Sequence, residues 1–340
     1  MSVPAAILAE PAEAHRPPEA RGLGRAEVRL LVASRGQLLH RTVAQLPELL
    51  SAGDLLVVNA SRTLPAALPA RRADGSELTL NLSTPVPFED GGRWVVELRR
   101  AGERFRGDHA GEQLSLPAGG RAELLAPYMG SRLWVAALEL PEPLLDFLDR
   151  HGRPIRYGHL EGEWPLELYQ NAYASEPGSA EMPSAGRPLT AELIATLVGR
   201  GVDVAPLVLH TGVSSLEAGE PPYPERFNVP RPTAERVNLT RRLGGRVIAV
   251  GTTVVRALES VVGEDGVMSP ASGWTELVIG PKNRLRSIDA LLTGFHDRTS
   301  SHLGMLEAIG GPVLVERSYL AAAEAGYLRH EFGDLMLLER

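Results

Sequence analysis

An unbroken apolar run, Val247-Ile248-Ala249-Val250, leads straight into Gly251-Thr252-Thr253-Val254-Val255-Arg256-Ala257-Leu258-Glu259-Ser260. Such a β-branched-rich run fits a strand covered on both faces, the setting of a parallel sheet. Gly251 lets the chain turn tightly, and Thr252 or Thr253 is placed to N-cap the helix that follows. Free backbone N–H groups and the positive end of the helix dipole then face the carboxyl edge of the sheet, where open α/β sheets bind ligands. Arg256, one turn in, adds a fixed cation. The bland alternative is an ordinary strand-to-helix turn, and spacing alone leaves both readings open.

The rest of the chain supplies a frame for that unit. Its 340 residues suffice for two domains or one large one, at about 150 residues per domain. The first 25 residues, rich in Ala, Pro and Glu, read as an irregular N-terminal segment. Val28 to Ala33 and Leu55 to Asn59 read as buried strands, with a short helical stretch from Val43 to Leu50 before the Gly53-Asp54 turn. Between about Arg71 and Leu140 the pattern changes to short alternating runs (Leu78 to Leu82, Trp94 to Leu98, Leu133 to Leu138), punctuated by Asp74-Gly75, Gly91-Gly92 and Gly119-Gly120. Short strands at that spacing predict a small antiparallel barrel or sandwich. From Pro141 helices alternate with apolar strands again: Ala191 to Arg200, Val204 to Leu209, Val247 to Val250 and Trp274 to Ile279, with Gly263 to Gly273 as an exposed loop. The predicted fold is α/β: a parallel-sheet α/β core, residues 26–70 and 141–340, interrupted by a β-barrel at 71–140.

Composition excludes several chemistries. With no cysteine there is no disulfide, thiolate nucleophile, cysteine-ligated zinc or iron–sulfur cluster. No apolar run approaches the roughly 18 residues a membrane helix needs, and the acidic, proline-bearing N-terminus lacks the features of a signal peptide, so no membrane association and a cytoplasmic location are expected. The formal charge of −7 argues against broad, sequence-independent nucleic-acid binding, without excluding a local basic patch. Lys282 is the only lysine; arginines are spread along the chain, as a high-GC codon bias would leave them.

Candidate reactive groups sit at predicted strand ends. His210 follows the run Val204 to Leu209, and His296 follows Leu291-Leu292-Thr293-Gly294-Phe295. α/β enzymes keep reactive side chains at such positions, and hydrogen-bonded scaffolding histidines occur there too. Arg62, just beyond Val57-Val58-Asn59-Ala60-Ser61, offers paired donors for a carboxylate or phosphate, with a surface ion pair as the alternative. Asn59 is placed to fix the turn. Asp334 in Phe332-Gly333-Asp334 is either an orienting carboxylate or a turn aspartate bonded to its own backbone. Tyr169, Gln170 and Tyr173 fall at helical spacing, which suits packing as well as a site.

Several blocks, in order, resemble the S-adenosylmethionine:tRNA ribosyltransferase-isomerases of queuosine biosynthesis. They are Gly53-Asp54-Leu55-Leu56-Val57-Val58-Asn59-Ala60-Ser61-Arg62-Thr63-Leu64-Pro65-Ala66, Tyr169-Gln170-Asn171-Ala172-Tyr173-Ala174, Pro183-Ser184-Ala185-Gly186, Leu209-His210-Thr211-Gly212, the Val250 to Ser260 segment, Asp289-Ala290-Leu291-Leu292-Thr293-Gly294-Phe295-His296 and Phe332-Gly333-Asp334-Leu335-Met336-Leu337. The resemblance implies a β-barrel inserted into an α/β domain, S-adenosylmethionine as co-substrate, no metal, and tRNA as partner. The implied reaction transfers the ribosyl part of the co-substrate to the aminomethyl group of a 7-deazaguanine in tRNA, rearranges it to an epoxycyclopentane, and releases adenine and methionine. By the same resemblance His210, His296 and Asp334 are the catalytic candidates. Asn59, Arg62, Tyr169, Pro183, Ala185, Gly186, Gly251, Thr252, Thr253, Arg256 and Glu259 are the candidates for binding S-adenosylmethionine.

The chain also departs from the family pattern. Arg187-Pro188-Leu189 stands for Leu-His-Phe, and Tyr223-Pro224-Glu225-Arg226-Phe227 for a block of histidines and a glutamate. Pro65-Ala66-Ala67-Leu68 stands for Pro-Ala-Arg-Leu, and Asp297-Arg298-Thr299-Ser300 for Leu-Pro-x-Ser. Tyr327-Leu328-Arg329-His330-Glu331-Phe332-Gly333-Asp334 stands for Tyr-Arg-Phe-Phe-Ser-Tyr-Gly-Asp. These losses fall on polar positions while the hydrophobic frame survives, as when a fold is kept and its chemistry altered. Two alternatives to the tRNA reaction follow: a paralogue that uses S-adenosylmethionine on a small-molecule acceptor or cleaves it, and a non-catalytic S-adenosylmethionine-binding protein.

Overall fold

A computed structural model describes residues 10–340, apart from 90–91, 131, 157, 214–221 and 298–300. Gly91 of the expected Gly91-Gly92 turn and the divergent Arg298-Thr299-Ser300 lie outside the described residues.

Leu55–Asn59 is buried along its whole length and lies at the middle of a nine-stranded sheet. Its side chains alternate between two apolar layers, so both sides of the strand must be hydrophobic. Leu55 and Val57 join Val247 and Ala249 under the helices Thr252–Glu259, Ser301–Gly310 and Pro312–Glu324. Leu56 and Val58 join Ile248 and Val250 against Leu46, Leu193 and Leu197 of the helical segments on the opposite face. Each such side chain stabilises the fold by about 1.5–3 kcal/mol through burial.

The four central strands, Asp203–Leu209, Leu55–Asn59, Val247–Val250 and Ala290–Gly294, are parallel. Outside them the sheet is mixed. Leu335–Glu339 runs antiparallel to Ala290–Gly294 and parallel to Arg29–Ala33, which pairs antiparallel with Leu38–Thr42. Glu225–Val229 and Ala271–Thr275 add antiparallel strands at the other edge. At the amino edge, Asp54 accepts hydrogen bonds from the Ser51 N–H (2.9 Å), the Arg246 N–H (3.0 Å) and the Arg246 guanidinium (2.7 Å). Burial opposes the Asp54 charge, but Arg246 and these N–H donors hold its carboxyl below the usual range.

Six antiparallel strands form a closed barrel: Ala67–Arg71, Glu77–Pro85, Arg93–Arg100, Gln113–Ser115, Arg121–Tyr128 and Leu133–Glu139. Leu133–Glu139 closes the ring by pairing with both Arg121–Tyr128 and Arg93–Arg100. Closure removes the exposed sheet edges, and alternate residues such as Leu68, Leu80, Leu98, Leu124 and Trp134 fill the interior.

Two local expectations are corrected. The strand expected at Trp274 to Ile279 runs instead over Ala271–Thr275, because the sheet edge needs residues in register with Glu225–Val229. That shift takes Ala271 to Gly273 out of the expected loop. Tyr169 ends a short 3-10 turn, Leu166–Tyr169, and Gln170 is extended, so Tyr169 and Tyr173 do not share a helix face. The described part of the irregular N-terminal segment lies against the body: Ala12–Glu13 pairs in parallel with Leu328–Arg329, and Pro17 and Pro18 are buried.

Candidate functional site

At the carboxyl edge of the parallel strands, Asn59 acts as a clamp. Its Nδ2 donates to the Leu209 carbonyl (2.8 Å) and to Thr253 Oγ1 (3.2 Å). Its Oδ1 accepts from the Leu209 N–H (3.0 Å) and the Ser61 N–H (3.1 Å). One buried amide thereby ties two strand ends to the first turn of the Thr252–Glu259 helix. The N-cap of that helix is Gly251 itself, at φ 90° and ψ 153°, and no side chain caps it. The expected threonine cap does not form because Thr252 is already helical and the Thr253 hydroxyl meets Asn59. The Pro183–Gly186 loop lies on this turn: a Cβ added to Gly251 would come 3.5 Å from Ala185 Cβ. At Gly186 a Cβ would sit 1.9 Å from the Tyr173 hydroxyl, so only glycine fits. Among the described residues that hydroxyl and Asn171 Oδ1 are buried without a hydrogen-bond partner, and burial pushes the Tyr173 phenol far up.

Ser61–Thr63 and Glu176–Ser179 pair as a short parallel ribbon above this edge. His210 packs under it. Its Nδ1 is 2.8 Å from Ser61 Oγ, which is 2.6 Å from Ser179 Oγ, and its backbone N–H donates to the Arg226 carbonyl at 2.9 Å. Gly178 is where the ribbon meets the imidazole: a Cβ there would lie 2.4 Å from Nδ1. Burial, aided by the Arg226 cation, pulls His210 down to about 4, so its ring is neutral at physiological pH. The ring opens onto a groove of about 660 Å³ lined also by Ala60, Glu176, Arg226, Asn228 and Trp274.

On the other side of the ribbon is a cavity of about 80 Å³ whose walls include Thr63, Tyr169, Ser184, His296 and Glu331. His296 lies against His302, with ring centroids 3.9 Å apart. Burial, then the His302 and His330 rings, hold His296 well below the usual imidazole range, and burial takes His302 to about 4. Tyr169 meets Phe332 edge-on at 5.2 Å, and burial pushes its phenol up to about 12. Glu331 accepts a 2.9 Å hydrogen bond from His159 Nε2. Although burial opposes both charges, that bond raises His159 and lowers Glu331.

Four candidates stand apart. Arg62 is exposed, with no partner among the described residues. Arg256 is buried, pairs with Glu225, and donates to the carbonyls of Leu277 (3.1 Å), Thr275 (3.2 Å) and Tyr223 (3.3 Å), so its guanidinium is committed to the protein. Glu259, at the far end of its helix, accepts from the N–H groups of Arg286 and Ser287, both at 2.7 Å. Asp334 accepts from the N–H groups of Arg29 (2.8 Å) and Leu328 (2.9 Å) and orients those strands.

Sequence reasoning overlooked Ser61 and Ser179, whose hydroxyls position His210, and His159, His302, His330 and Glu331 around the small cavity. The His330-Glu331 replacement in the last block was the available signal. Two of the other departures have local accounts. Arg187 is almost fully buried, bonded to both oxygens of Glu19 (2.8 and 2.7 Å) and to the Leu168 carbonyl (2.8 Å). Glu225 accepts from the Gly212 N–H (3.2 Å) and neutralises Arg256; burial raises its carboxyl, and Arg256 opposes that.

The sequence pattern described as queuosine biosynthesis protein matches residues 7–338. Three similar curated proteins carry the name S-adenosylmethionine:tRNA ribosyltransferase-isomerase. That of Natranaerobius thermophilus is 34% identical over 93% of each chain. That of Symbiobacterium thermophilum is 36% identical, covering 91% of this chain and 92% of its own. That of Acidiphilium cryptum is 36% identical, covering 99% and 96%. A crystal structure of the S-adenosylmethionine tRNA ribosyltransferase of Thermotoga maritima superposes with a TM-score of 0.52 and 27% identity over 96% of both chains.

Proposed function

Because this chain belongs to the queuosine biosynthesis protein family, we propose that it is an S-adenosylmethionine-dependent ribosyltransferase-isomerase acting on tRNA. In this reading the ribosyl moiety of S-adenosylmethionine passes to the aminomethyl nitrogen of 7-aminomethyl-7-deazaguanine in tRNA. It is rearranged to the epoxycyclopentane of epoxyqueuosine, and adenine and methionine leave. With tRNA as acceptor, the cytoplasm is the compartment we assign.

The observation that carries the proposal is a neutral imidazole on a substrate-sized groove at the carboxyl edge of the parallel strands. The groove of about 660 Å³ lies within the roughly 300–1,000 Å³ typical of small-molecule sites, whereas the cavity of about 80 Å³ does not. In this reading His210 donates its Nδ1–H to Ser61 Oγ, 2.8 Å away, and that tautomer leaves Nε2 to accept the proton acidified by the sulfonium of the co-substrate. Such assistance contributes on the order of 10²–10⁴ in rate. The Gly251–Thr253 turn, with its overlying Pro183–Gly186 loop, lies at the same sheet edge and extends the proposed site for the co-substrate, while His296 lines the separate small cavity across the ribbon. Exposed Arg62 and Arg226 supply local cations for phosphates despite the net charge of −7. Asn59, Arg256, Glu259 and Asp334 enter as positioning residues, since their polar atoms are bonded within the protein. Neither a small-molecule acceptor nor a purely binding role is favoured, because the match to tRNA-modifying relatives runs through nearly the whole chain.

The test is incubation with S-adenosylmethionine, with and without tRNA carrying 7-aminomethyl-7-deazaguanine. Adenine and methionine are followed by chromatography and the tRNA nucleoside by mass spectrometry. Adenine release coupled to the epoxycyclopentane nucleoside is expected, and His210→Gln should lower the rate by about 10²-fold or more. Adenine release with unmodified tRNA would reject the tRNA acceptor; no release would reject the activity.

A further inference from the structure

His159, His330 and Glu331 come from two distant parts of the chain, yet each presents a ligating atom within 4.8 Å of the others. The two imidazoles are stacked, with centroids 4.5 Å apart, and His159 Nε2 lies 2.9 Å from Glu331 Oε2. His330 Nε2 faces a second carboxylate, Glu13 Oε1, at 3.5 Å. Glu13 belongs to the short N-terminal strand laid against Leu328–Arg329. His330 holds φ 72°, a left-handed conformation that L side chains adopt at a cost of about 1–3 kcal/mol and that gathers at functional sites. Its backbone is fixed there by its N–H on the Phe295 carbonyl (3.0 Å) and by the Gly333 N–H on its own carbonyl (3.0 Å).

We infer that His159, His330 and Glu331, with Glu13 as fourth donor, form a binding site for a divalent transition-metal cation of the zinc type. On binding, His159 gives up the proton it shares with Glu331, so that two imidazoles and two carboxylates meet the dication; Glu13, which also accepts from Arg329 at 3.1 Å, offers its other oxygen, and the chain has nitrogen and oxygen donors but no thiolate. Tetrahedral zinc holds such atoms at about 2.0–2.2 Å, roughly 3.3–3.6 Å from one another, so the widest separations must close by about 1 Å and the 2.9 Å His159–Glu331 pair must open slightly, within reach of side-chain rotation. All four side chains keep some solvent access, at 13% for His159, 20% for His330, 23% for Glu331 and 34% for Glu13, which gives the ion a way in. None of these donors takes part in the reaction proposed above, although Glu331 shares the small cavity with His296. The metal would fasten the N-terminal segment and the turn before the last strand across the wall of the small cavity.

The experiment uses the full-length protein stripped with a chelator. Co²⁺ is titrated and followed by its visible ligand-field absorption, and Zn²⁺ binding is measured by calorimetry. A single equivalent bound with tetrahedral Co²⁺ absorption is expected. His330→Asn, whose side chain tolerates the left-handed backbone, and Glu331→Gln should each weaken binding by at least about tenfold. His151→Ala, at a histidine outside the cluster, should not. Absence of binding, or equal binding by the wild type and both cluster variants, would overturn the proposal. Neither readout depends on S-adenosylmethionine or tRNA turnover, so failure here and failure of the proposed reaction are distinguishable.

Discussion

His210 is kept neutral chiefly by desolvation, and that has a measurable sign. Its folded pKa of about 4 lies below the ordinary 6.5, so between these values the unfolded chain binds the extra proton. The stability contributed by keeping it neutral is complete above pH 6.5 and is lost as pH falls towards 4, up to about 3 kcal/mol. Thermal unfolding measured across that window should show Tm falling with acidification, and His210→Gln should flatten the fall. His302, also near 4, leaves a residual slope in the same window. Parallel curves for wild type and variant would reject this account of His210. The histidine itself was legible in the sequence because it closes an apolar run. Ser61 and Ser179 were not, since small hydroxyl residues at strand ends are ordinary. Arg256 shows a related limit: a sequence shows the cation, whereas the carbonyls of Tyr223, Thr275 and Leu277 to which it donates come from separate strands and loops.

Elements were most readable where burial is two-sided. Leu55–Asn59 and Val247–Val250 fall where their apolar runs predict, because both faces of each strand are buried; Asn59, at the end of the first, is polar and spends all its bonds inside the protein. Edge elements were less readable, as with Ala271–Thr275, whose bounds are set by register with a partner rather than by its own pattern. The start of the parallel strands depends on one carboxylate. Asp54→Ala would leave the N–H groups of Ser51 and Arg246 unpaired and the Arg246 cation without its nearest partner. Arg246 is partly exposed and keeps Glu339 at 2.9 Å, so the loss should be about 3 kcal/mol, at the low end for a broken buried pair. Denaturant unfolding checks this; a change within about 0.5 kcal/mol, as at an ordinary surface position, would count against the clamp.

At the scale of the molecule, the N-terminal segment packs on the body through arginines that composition could not single out. Arg187 holds Glu19, Arg25 donates to the carbonyls of Glu167 and Gln170 (both 2.8 Å), and Arg21 donates to that of Phe332 (2.8 Å). Glu19→Gln should therefore release the segment locally while the sheet stays folded. Hydrogen exchange over Ala12 to Arg21 is expected to quicken about tenfold, equivalent to about 1.4 kcal/mol of local opening, with little change elsewhere. Unchanged exchange there would show that the pair does not hold the segment. The barrel, by contrast, was legible as short alternating runs, although its closure through Leu133–Glu139 depends on pairings far apart in sequence. The order of strands carries one more consequence. Leu335–Glu339 lies inside the sheet, between Ala290–Gly294 and Arg29–Ala33, although the ribosome makes it after both. Until it is delivered, the two strands that flank it each have an unpaired edge, so the sheet cannot close before the last residues of the chain are made.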